Sequence, residues 1–336
     1  MQRRYILFCT AFMLLLSCSK EVLEAFGGFR NPAHFPEPAY RFENNGVTQA
    51  GFELGRKLFY EPRLSRNNSI SCGSCHIQSA AFTQHGHDVS HGIDDRLGRR
   101  NSQAIMNLAW SPTFMWDGGI FDLDFQPIAP ITNHVEMDES IDNILVKLRS
   151  HPDYPALFKK AFGSDEISTA RTMKALSQFM VMCVSADARY DSVVRGLSAF
   201  SPIEEAGYAI FKQKCASCHK EPLFTDHSFR NNGLAIGLNG DEGRAEVTLN
   251  PSDRFRFKVP SLRNVEFTAP YMHDGRFVTL DAVLNHYAGG VQQTPNVDSL
   301  VRNGIALTPE EKTNLLAFLR TLSDRKFLAN QSLSEQ

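Results

Sequence analysis

The sequence predicts a mainly α-helical protein that contains two copies of one helical module in tandem. Residues 51–83 and 206–225 share an order of features: a helix with apolar periodicity, a Cys-x-x-Cys-His motif and, shortly afterwards, a Phe-Thr pair. Few segments of the 336-residue chain alternate polar and apolar side chains as strands do. A repeated pattern in a chain of this length implies two domains.

Capping signals mark where further helices begin. Residues 201–204 and 308–311 each combine a capping box with a proline at the first helical position. The second box opens an amphipathic helix with apolar positions Leu315, Leu316, Phe318, Leu319 and Leu322. Residues 168–185 place apolar side chains three and four positions apart, which predicts a helix with Cys183 as an unreactive core residue.

The N-terminus has the pattern of an export signal. Arg3 and Arg4 precede an apolar stretch over residues 5–16, which is too short to cross a bilayer as a helix. The following Ser17-Cys18 resembles the cleavage site of bacterial lipoproteins, so we expect residues 1–17 to be a signal peptide and Cys18 to be lipidated. An ordinary signal peptide cleaved near Ser17 is the alternative. Both place the mature protein on the periplasmic side of the cell envelope, and the lipid would be its sole membrane contact.

The two Cys-x-x-Cys-His motifs are typical of covalent c-type haem attachment. Two thiols three positions apart can each bond one vinyl group of a haem, and the adjacent histidine can reach the iron. A zinc or redox Cys-x-x-Cys site is the alternative, but zinc needs four ligands and a different cysteine pairing. The haem interpretation assigns six residues, namely Cys72, Cys75, His76, Cys215, Cys218 and His219.

The modules are therefore expected to be cytochrome-c-like helical haem domains. We place a linker over residues 19–45, one haem domain over 46–190 and the other over 200–325, with the junction within 185–201. The formal net charge is −2, and no basic run is long enough for a nucleic-acid partner.

From residue 51 to residue 322 the sequence resembles the bacterial dihaem cytochrome c peroxidases and the related MauG proteins. The matching stretches, in order, are LGRKLFYEPRLS, RRNSQAIMNLAW, FMWDGG, QPIAPITNHVEM, SADARYDSVVRG and FKVPSLRNVEFTAPYMHDGRFVTL. The resemblance implies that hydrogen peroxide reacts at the N-terminal haem. It also implies that electrons arrive through the C-terminal haem from a small c-type cytochrome or copper protein.

The resemblance also implies roles for individual residues. Glu136 matches the distal glutamate that moves a proton between the peroxide oxygens, and Gln126 and Pro130 match the other distal-pocket positions. O–O cleavage needs a base and then an acid, and one carboxylate can serve as both. Trp116 matches the tryptophan between the haems, where an aromatic ring could relay electrons.

Family members bind calcium at the domain interface, and the matching ligands here are the Asn101 side chain and the carbonyls of Thr268 and Pro270. Oxygen ligands of this kind suit calcium. The resemblance also implies that a homodimer could form, although no residue of the sequence shows one.

Two positions depart from the peroxidases. Where their C-terminal haem usually has a methionine ligand, this chain has Tyr287, as MauG does, and no methionine follows Met272. His286 is the neighbouring alternative ligand. The loop histidine that closes the N-terminal iron in some peroxidases is matched only approximately by His91, so that iron is expected to stay open.

Three functions remain open at this point. The favoured one is a cytochrome c peroxidase that reduces hydrogen peroxide to water. A MauG-like oxidase acting on a protein or organic substrate is the first alternative, supported by Tyr287. A non-enzymatic electron carrier is the second, and Glu136 and the missing methionine argue against it.

Overall fold

The computed structural model describes residues 26–237 and 240–336, so the predicted signal peptide and Cys18 lie outside the described residues. The helices, numbered in chain order, are α1 Gln49–Phe59, α2 Cys72–Cys75, α3 Ile128–Thr132, α4 Ile141–Ser150, α5 Tyr154–Phe162, α6 Thr169–Met182, α7 Arg189–Val194, α8 Pro202–Lys214, α9 Ala245–Thr248, α10 Leu280–Asn285, α11 Pro309–Arg320 and α12 Arg325–Leu328. A π-helical turn, His286–Gly290, follows α10 directly. Strands β1 (Phe229–Arg230) and β2 (Phe257–Lys258) pair antiparallel.

Two hydrophobic cores divide the described chain. One forms where α1 packs on α5 and α6, and the other where α8 packs on α11. In each pair a glycine allows close contact: a Cβ on Gly55 or on Gly207 would lie 1.9 Å from a backbone oxygen of the opposing helix. The mainly α fold predicted from the sequence is confirmed.

The helix starts follow the capping chemistry of the sequence. The Ser201 N–H donates to the Glu204 carboxylate at 2.7 Å, and the Thr308 N–H donates to the Glu311 carboxylate at 2.8 Å. Helix α6 ends at Met182, and Cys183 follows with no solvent exposure. Burial raises the pKa of the Cys183 thiol, as expected of an unreactive core cysteine.

Both ends of the described chain pack on the first core. Residues 26–48 place several aromatic side chains against it, and Pro36 accepts a 2.8 Å hydrogen bond from the Trp110 indole. After α12 the chain returns to α1, where the Tyr60 hydroxyl donates to the Leu333 carbonyl at 2.9 Å. The C-terminal segment therefore crosses from the second core to the first.

The structure also contains an internal repeat that the sequence analysis did not identify. Residues 101–120 and 258–277 have the same backbone turns, with positive φ angles at Asn107 and Asn264 (55° and 56°) and at Met115 and Met272 (68° and 74°). Each copy closes with an isolated bridge, Phe114 with Ile120 and Tyr271 with Phe277. The duplication therefore extends beyond the Cys-x-x-Cys-His modules.

The two copies of this repeat contact each other through backbone hydrogen bonds. The Asn101 N–H donates to the His273 carbonyl at 2.7 Å, and the Lys258 N–H donates to the Trp116 carbonyl at 2.8 Å. Asn101 corresponds to Lys258 in the repeat, and Trp116 corresponds to His273. The interface therefore has local two-fold pseudosymmetry, as an isologous contact between two subunits would.

A fully buried ion pair links α7 to the segment that follows β2. Arg263 contacts both carboxylate oxygens of Asp191, at 2.8 and 3.0 Å, and neither side chain is solvent exposed. His34 lies 2.8 Å from the same carboxylate, so the N-terminal segment is joined to this pair.

Candidate haem-binding and catalytic site

The histidines of both Cys-x-x-Cys-His motifs are oriented in the same way. The Nδ1 of His76 lies 2.8 Å from the Phe82 carbonyl, and the Nδ1 of His219 lies 3.1 Å from the Phe224 carbonyl. With Nδ1 as the donor, Nε2 is the ring nitrogen that can serve as a metal ligand. In each copy of the repeated Phe-Thr pair, the phenylalanine carbonyl thus fixes the orientation of the histidine ring.

The surroundings of both motifs are apolar. Burial lowers the pKa of His76 and of His219, which favours the neutral imidazole that coordinates metals. Burial also raises the pKa of the Cys72 and Cys215 thiols to about 12. In residues 26–237 and 240–336, no three His, Cys, Asp or Glu side chains cluster in a way that could hold a metal ion, so these cysteines lack a zinc ligand set.

One cavity of about 1190 Å³ extends between the two motifs. Its wall includes His76 and Cys75 at one end and His219, Cys215 and Cys218 at the other. A pair of porphyrins needs apolar walls, a histidine for each iron and cysteines at each rim, and this cavity supplies all three. The residues present therefore fit two covalently attached haems.

Glu136 lies in the same cavity wall as His76. Helix α3 ends at Thr132, and a turn follows that reverses the chain direction. In this turn the Glu136 N–H donates to the Asn133 carbonyl at 3.0 Å. The adjoining loop fits closely because position 92 is glycine: a Cβ there would lie 2.1 Å from the Val135 carbonyl.

The environment of Glu136 suits proton transfer. Burial raises the pKa of its carboxyl group, and a hydrogen bond from the Asn133 carboxamide partly opposes that rise. The Asn133 Nδ2 lies 2.7 Å from the Glu136 Oε1. A raised pKa makes the carboxylate a stronger base, and a positioned carboxyl group can both accept and donate a proton. Sequence reasoning missed Asn133, although its position three residues before Glu136 was a usable signal.

The other predicted distal residues lie nearby. Gln126 and Pro130 line the cavity together with Glu136, and the Gln126 amide lies 3.8 Å from the Met115 sulfur. Pro130 is within α3, and its carbonyl accepts the Met137 N–H at 3.2 Å. The structure thus brings the three predicted side chains together on the His76 side of the cavity.

Comparison with known proteins agrees with this geometry. The family model described as di-haem cytochrome c peroxidase matches residues 49–199. The methylamine utilization protein MauG of Methylorubrum extorquens is 36% identical over 304 residues, which cover 88% of this chain and 83% of that protein. The chain belongs to the di-haem cytochrome c peroxidase and MauG family. The resemblance noted in the sequence is therefore confirmed.

Two further relatives represent both branches of the family. The cytochrome c551 peroxidase of Nitrosomonas europaea is 34% identical, covering 81% of this chain and 79% of its own. A crystal structure of a MauG-like protein associated with microbial copper homeostasis superposes with a TM-score of 0.84 at 32% identity, covering 90% of this chain and 97% of the other. The family implies two c-type haems, and its peroxidases confirm the prediction of a peroxidase-type oxidoreductase.

Trp116 lies at the domain interface of this family member. Its indole N–H donates to the Asn101 carbonyl at 2.9 Å, and its ring lines the cavity that both haem motifs share. The pseudosymmetric partner, His273, stacks on Phe257 with ring centroids 3.7 Å apart. Aromatic groups from both domains therefore occupy the region between the motifs.

Tyr287 lies in the cavity wall of the second domain. The π-helical turn after α10 carries it there, and such turns often mark functional sites. Burial raises the pKa of its phenol, and the Asn232 carboxamide opposes that rise. The same amide lies 3.3 Å from the Met272 sulfur. His286 bonds instead to the Asn232 carbonyl at 3.0 Å, so Tyr287 is the member of this pair that faces the cavity.

The loop that contains His91 packs against the backbone of Glu136, but the His91 ring contacts Asp95 and His87 instead. The Nδ1 of His91 lies 2.7 Å from an Asp95 carboxylate oxygen, and its ring centroid lies 4.2 Å from that of His87. In this conformation the imidazole makes surface contacts.

The predicted calcium ligands lie in the wall between the domains. Asn101, Thr268 and Pro270 all line the shared cavity, and the Asn101 amide nitrogen donates to the Asp88 carbonyl at 2.9 Å. That bond fixes the orientation of the Asn101 amide, whose oxygen can act as an acceptor or a metal ligand. The donor set of one amide and two backbone carbonyls is compatible with calcium.

Proposed function

We propose that this chain reduces hydrogen peroxide to water with electrons from a small c-type cytochrome or copper protein. Electrons would enter at the haem bound through Cys215 and Cys218, pass the region of Trp116, and reach the haem held by His76. The observation that carries the proposal is the position of Glu136, partly buried and hydrogen-bonded in the cavity wall beside that histidine.

A haem held by Cys72, Cys75 and His76 would supply the iron chemistry that reduces peroxide, and the donor protein would supply the two electrons that the reduction requires. Glu136 would accept a proton from one peroxide oxygen and return it to the other, which leaves as the first water. The remaining oxygen would take up two electrons from the donor protein and two protons from solvent and leave as the second water. Asn133 holds the carboxylate in place through its amide, and Gln126 offers a further polar group to the same space. Pro130 and the apolar walls restrict water around the reacting oxygens.

The test is turnover of the purified dihaem protein with reduced cytochrome c or a reduced copper protein and hydrogen peroxide. Rapid, peroxide-dependent oxidation of the donor is expected, and E136Q should lower kcat/KM for peroxide by about 10²- to 10⁴-fold without changing the haem content. The matched control is E139Q, because Glu139 also accepts a hydrogen bond from an asparagine but does not line the cavity. Full activity in E136Q would refute the proposed role.

A second function, oxidation of a protein or organic substrate as in MauG, is favoured by Tyr287. A phenolate is a hard ligand that stabilises oxidised iron, whereas a thioether raises the potential. The discriminating experiment adds one equivalent of peroxide to the diferric protein with no donor present. A long-lived spectral change at both haems would support the MauG-like function, rapid donor turnover supports the peroxidase, and no reaction supports an electron carrier.

We propose that the protein is periplasmic and is anchored to the membrane through a lipid on Cys18. We also propose that it binds one calcium ion through Asn101, Thr268 and Pro270. Among the described residues, no helix is long and apolar enough to span a membrane. Membrane fractionation of wild type and C18A tests the anchor, and calcium titration with N101A tests the ion site. Whether a homodimer forms is decided by sedimentation of the holoprotein.

A further inference from the structure

Lys258 is a buried lysine with an incomplete set of partners. Its residue is 7% exposed, and within the described chain its ammonium donates to one acceptor, the Thr113 carbonyl, at 2.7 Å. An ammonium has three donors, and a buried cation without a counter-charge is costly. Burial accordingly lowers the pKa of Lys258 to about 8.

Nearby acids do not supply the missing charge. Asp117 is the carboxylate that acts on Lys258 electrostatically, but its two oxygens bind the Arg100 guanidinium and the Gly119 N–H. The neighbouring His227 has a buried Nε2 with no hydrogen-bond partner in the described residues. Lys258 and His227 thus face the cavity with donor capacity that the protein itself leaves unused.

Both side chains are tied to the second haem motif. Thr225 accepts the His227 N–H at 3.0 Å and donates to the Val259 carbonyl at 2.6 Å. One residue earlier than His227, the Asp226 N–H donates to the Cys218 carbonyl at 2.9 Å. The pair is therefore positioned by the same segment that carries Cys218 and His219.

The internal repeat adds a reason to expect an anion here, and this reason rests on the calcium site proposed above. Lys258 occupies the position that Asn101 occupies in the first copy, and Asn101 is the amide proposed to bind a divalent cation. At equivalent places beside the cavity, the first copy would provide positive charge through a calcium ion bound by Asn101. The second copy would provide it through the ammonium of Lys258. Each haem brings two carboxylates that require such charge.

We propose that Lys258 and His227 form a carboxylate-binding site for a propionate of the haem attached to Cys215 and Cys218. Lys258 donates to the carboxylate from the β2 side, and His227 donates through Nε2 from the segment before β1. This site goes beyond the proposed peroxide chemistry, and it requires only that the second haem is bound.

The test is spectroelectrochemistry of the holoprotein, in which each haem is followed by its own absorbance change. Removing the ammonium in K258Q leaves the propionate charge unbalanced and stabilises ferric iron. The reduced-to-oxidised ratio of the second haem at a fixed applied potential should fall about tenfold, which corresponds to about 59 mV for one electron. K258R should retain most of the wild-type ratio. In H227N the ratio should fall, but by less than in K258Q.

The control is K159Q, which removes an exposed lysine charge from α5. Haem content is measured first, so loss of a haem is separated from a change in potential, and peroxide turnover is measured apart from both. If K258Q does not accumulate with two haems, H227N and K258R carry the test. An unchanged second-haem potential in a fully loaded K258Q, or a shift confined to the first haem, would overturn the proposal.

Discussion

Replacing Asn133 by alanine should shift the pH dependence of peroxide reduction to higher pH. The Asn133 amide donates to the Glu136 carboxylate at 2.7 Å, and a hydrogen bond to a charged group contributes about 1.5–3 kcal/mol. Its loss disfavours the ionised form, so the pKa of Glu136 rises further above its ordinary value. At a fixed acidic pH, the ratio of carboxylate to carboxylic acid should fall at least about tenfold.

Because Glu136 first acts as a base, activity is lost as the pH falls through its pKa. The acidic limb of kcat/KM for peroxide should therefore lie at higher pH in N133A, while the plateau at high pH stays close to that of wild type. The matched control is N143A, which removes a similar amide-to-carboxylate bond, 2.8 Å to Glu139, outside the cavity wall. An acidic limb that does not move, or that moves to lower pH, would refute the proposed proton-transfer role.

Three further outcomes are expected. Arg263→Met removes the guanidinium that contacts both oxygens of the buried Asp191 and leaves His34 as the neighbouring partner of that carboxylate. It should destabilise the holoprotein by about 3–5 kcal/mol in denaturant unfolding, whereas loss of the exposed Arg189 should cost about 1 kcal/mol or less; equal effects would contradict this. Tyr287→Met should raise the potential of the second haem, measured by spectroelectrochemistry, because a thioether favours ferrous iron, and an unchanged potential would argue against Tyr287 as a ligand. Because Cys183 is fully buried, it should resist maleimide in the folded protein and react once guanidinium unfolds the chain. Rapid labelling under native conditions would show that this part of the core opens.

Local chemistry made much of this fold predictable from the sequence. The capping boxes at Ser201 and Thr308 determine where α8 and α11 begin, and those helices begin where the boxes place them. The helix predicted over residues 168–185 forms at Thr169–Met182 because its apolar spacing matches the helical period. The mainly α class followed from these signals, whereas the family was recognised from the resemblance of the quoted motif stretches.

Other features had only weak signals in the sequence. The repeat over residues 101–120 and 258–277 was missed because its shared residues are few and scattered: an asparagine (107 and 264) and a Met-x-Asp-Gly motif (115–118 and 272–275). The three-residue spacing of Asn133 and Glu136 was a usable signal, but it was overlooked because the contact also needs the local turn between them. The π-helical turn that directs Tyr287 into the cavity likewise has no simple sequence signature.

The pseudosymmetric interface has a consequence for how the two halves came to differ. Reciprocal main-chain bonds hold the two copies together, so the contact does not depend on which side chains stand at positions 101, 116, 258 and 273. The first copy has an amide (Asn101) and an indole (Trp116) where the second has an ammonium (Lys258) and an imidazole (His273). The backbone bonds between the copies are the same in both directions. In the proposed function, these backbone bonds would set the distance that electrons cross, and the four side chains would make the two sides of the contact chemically different.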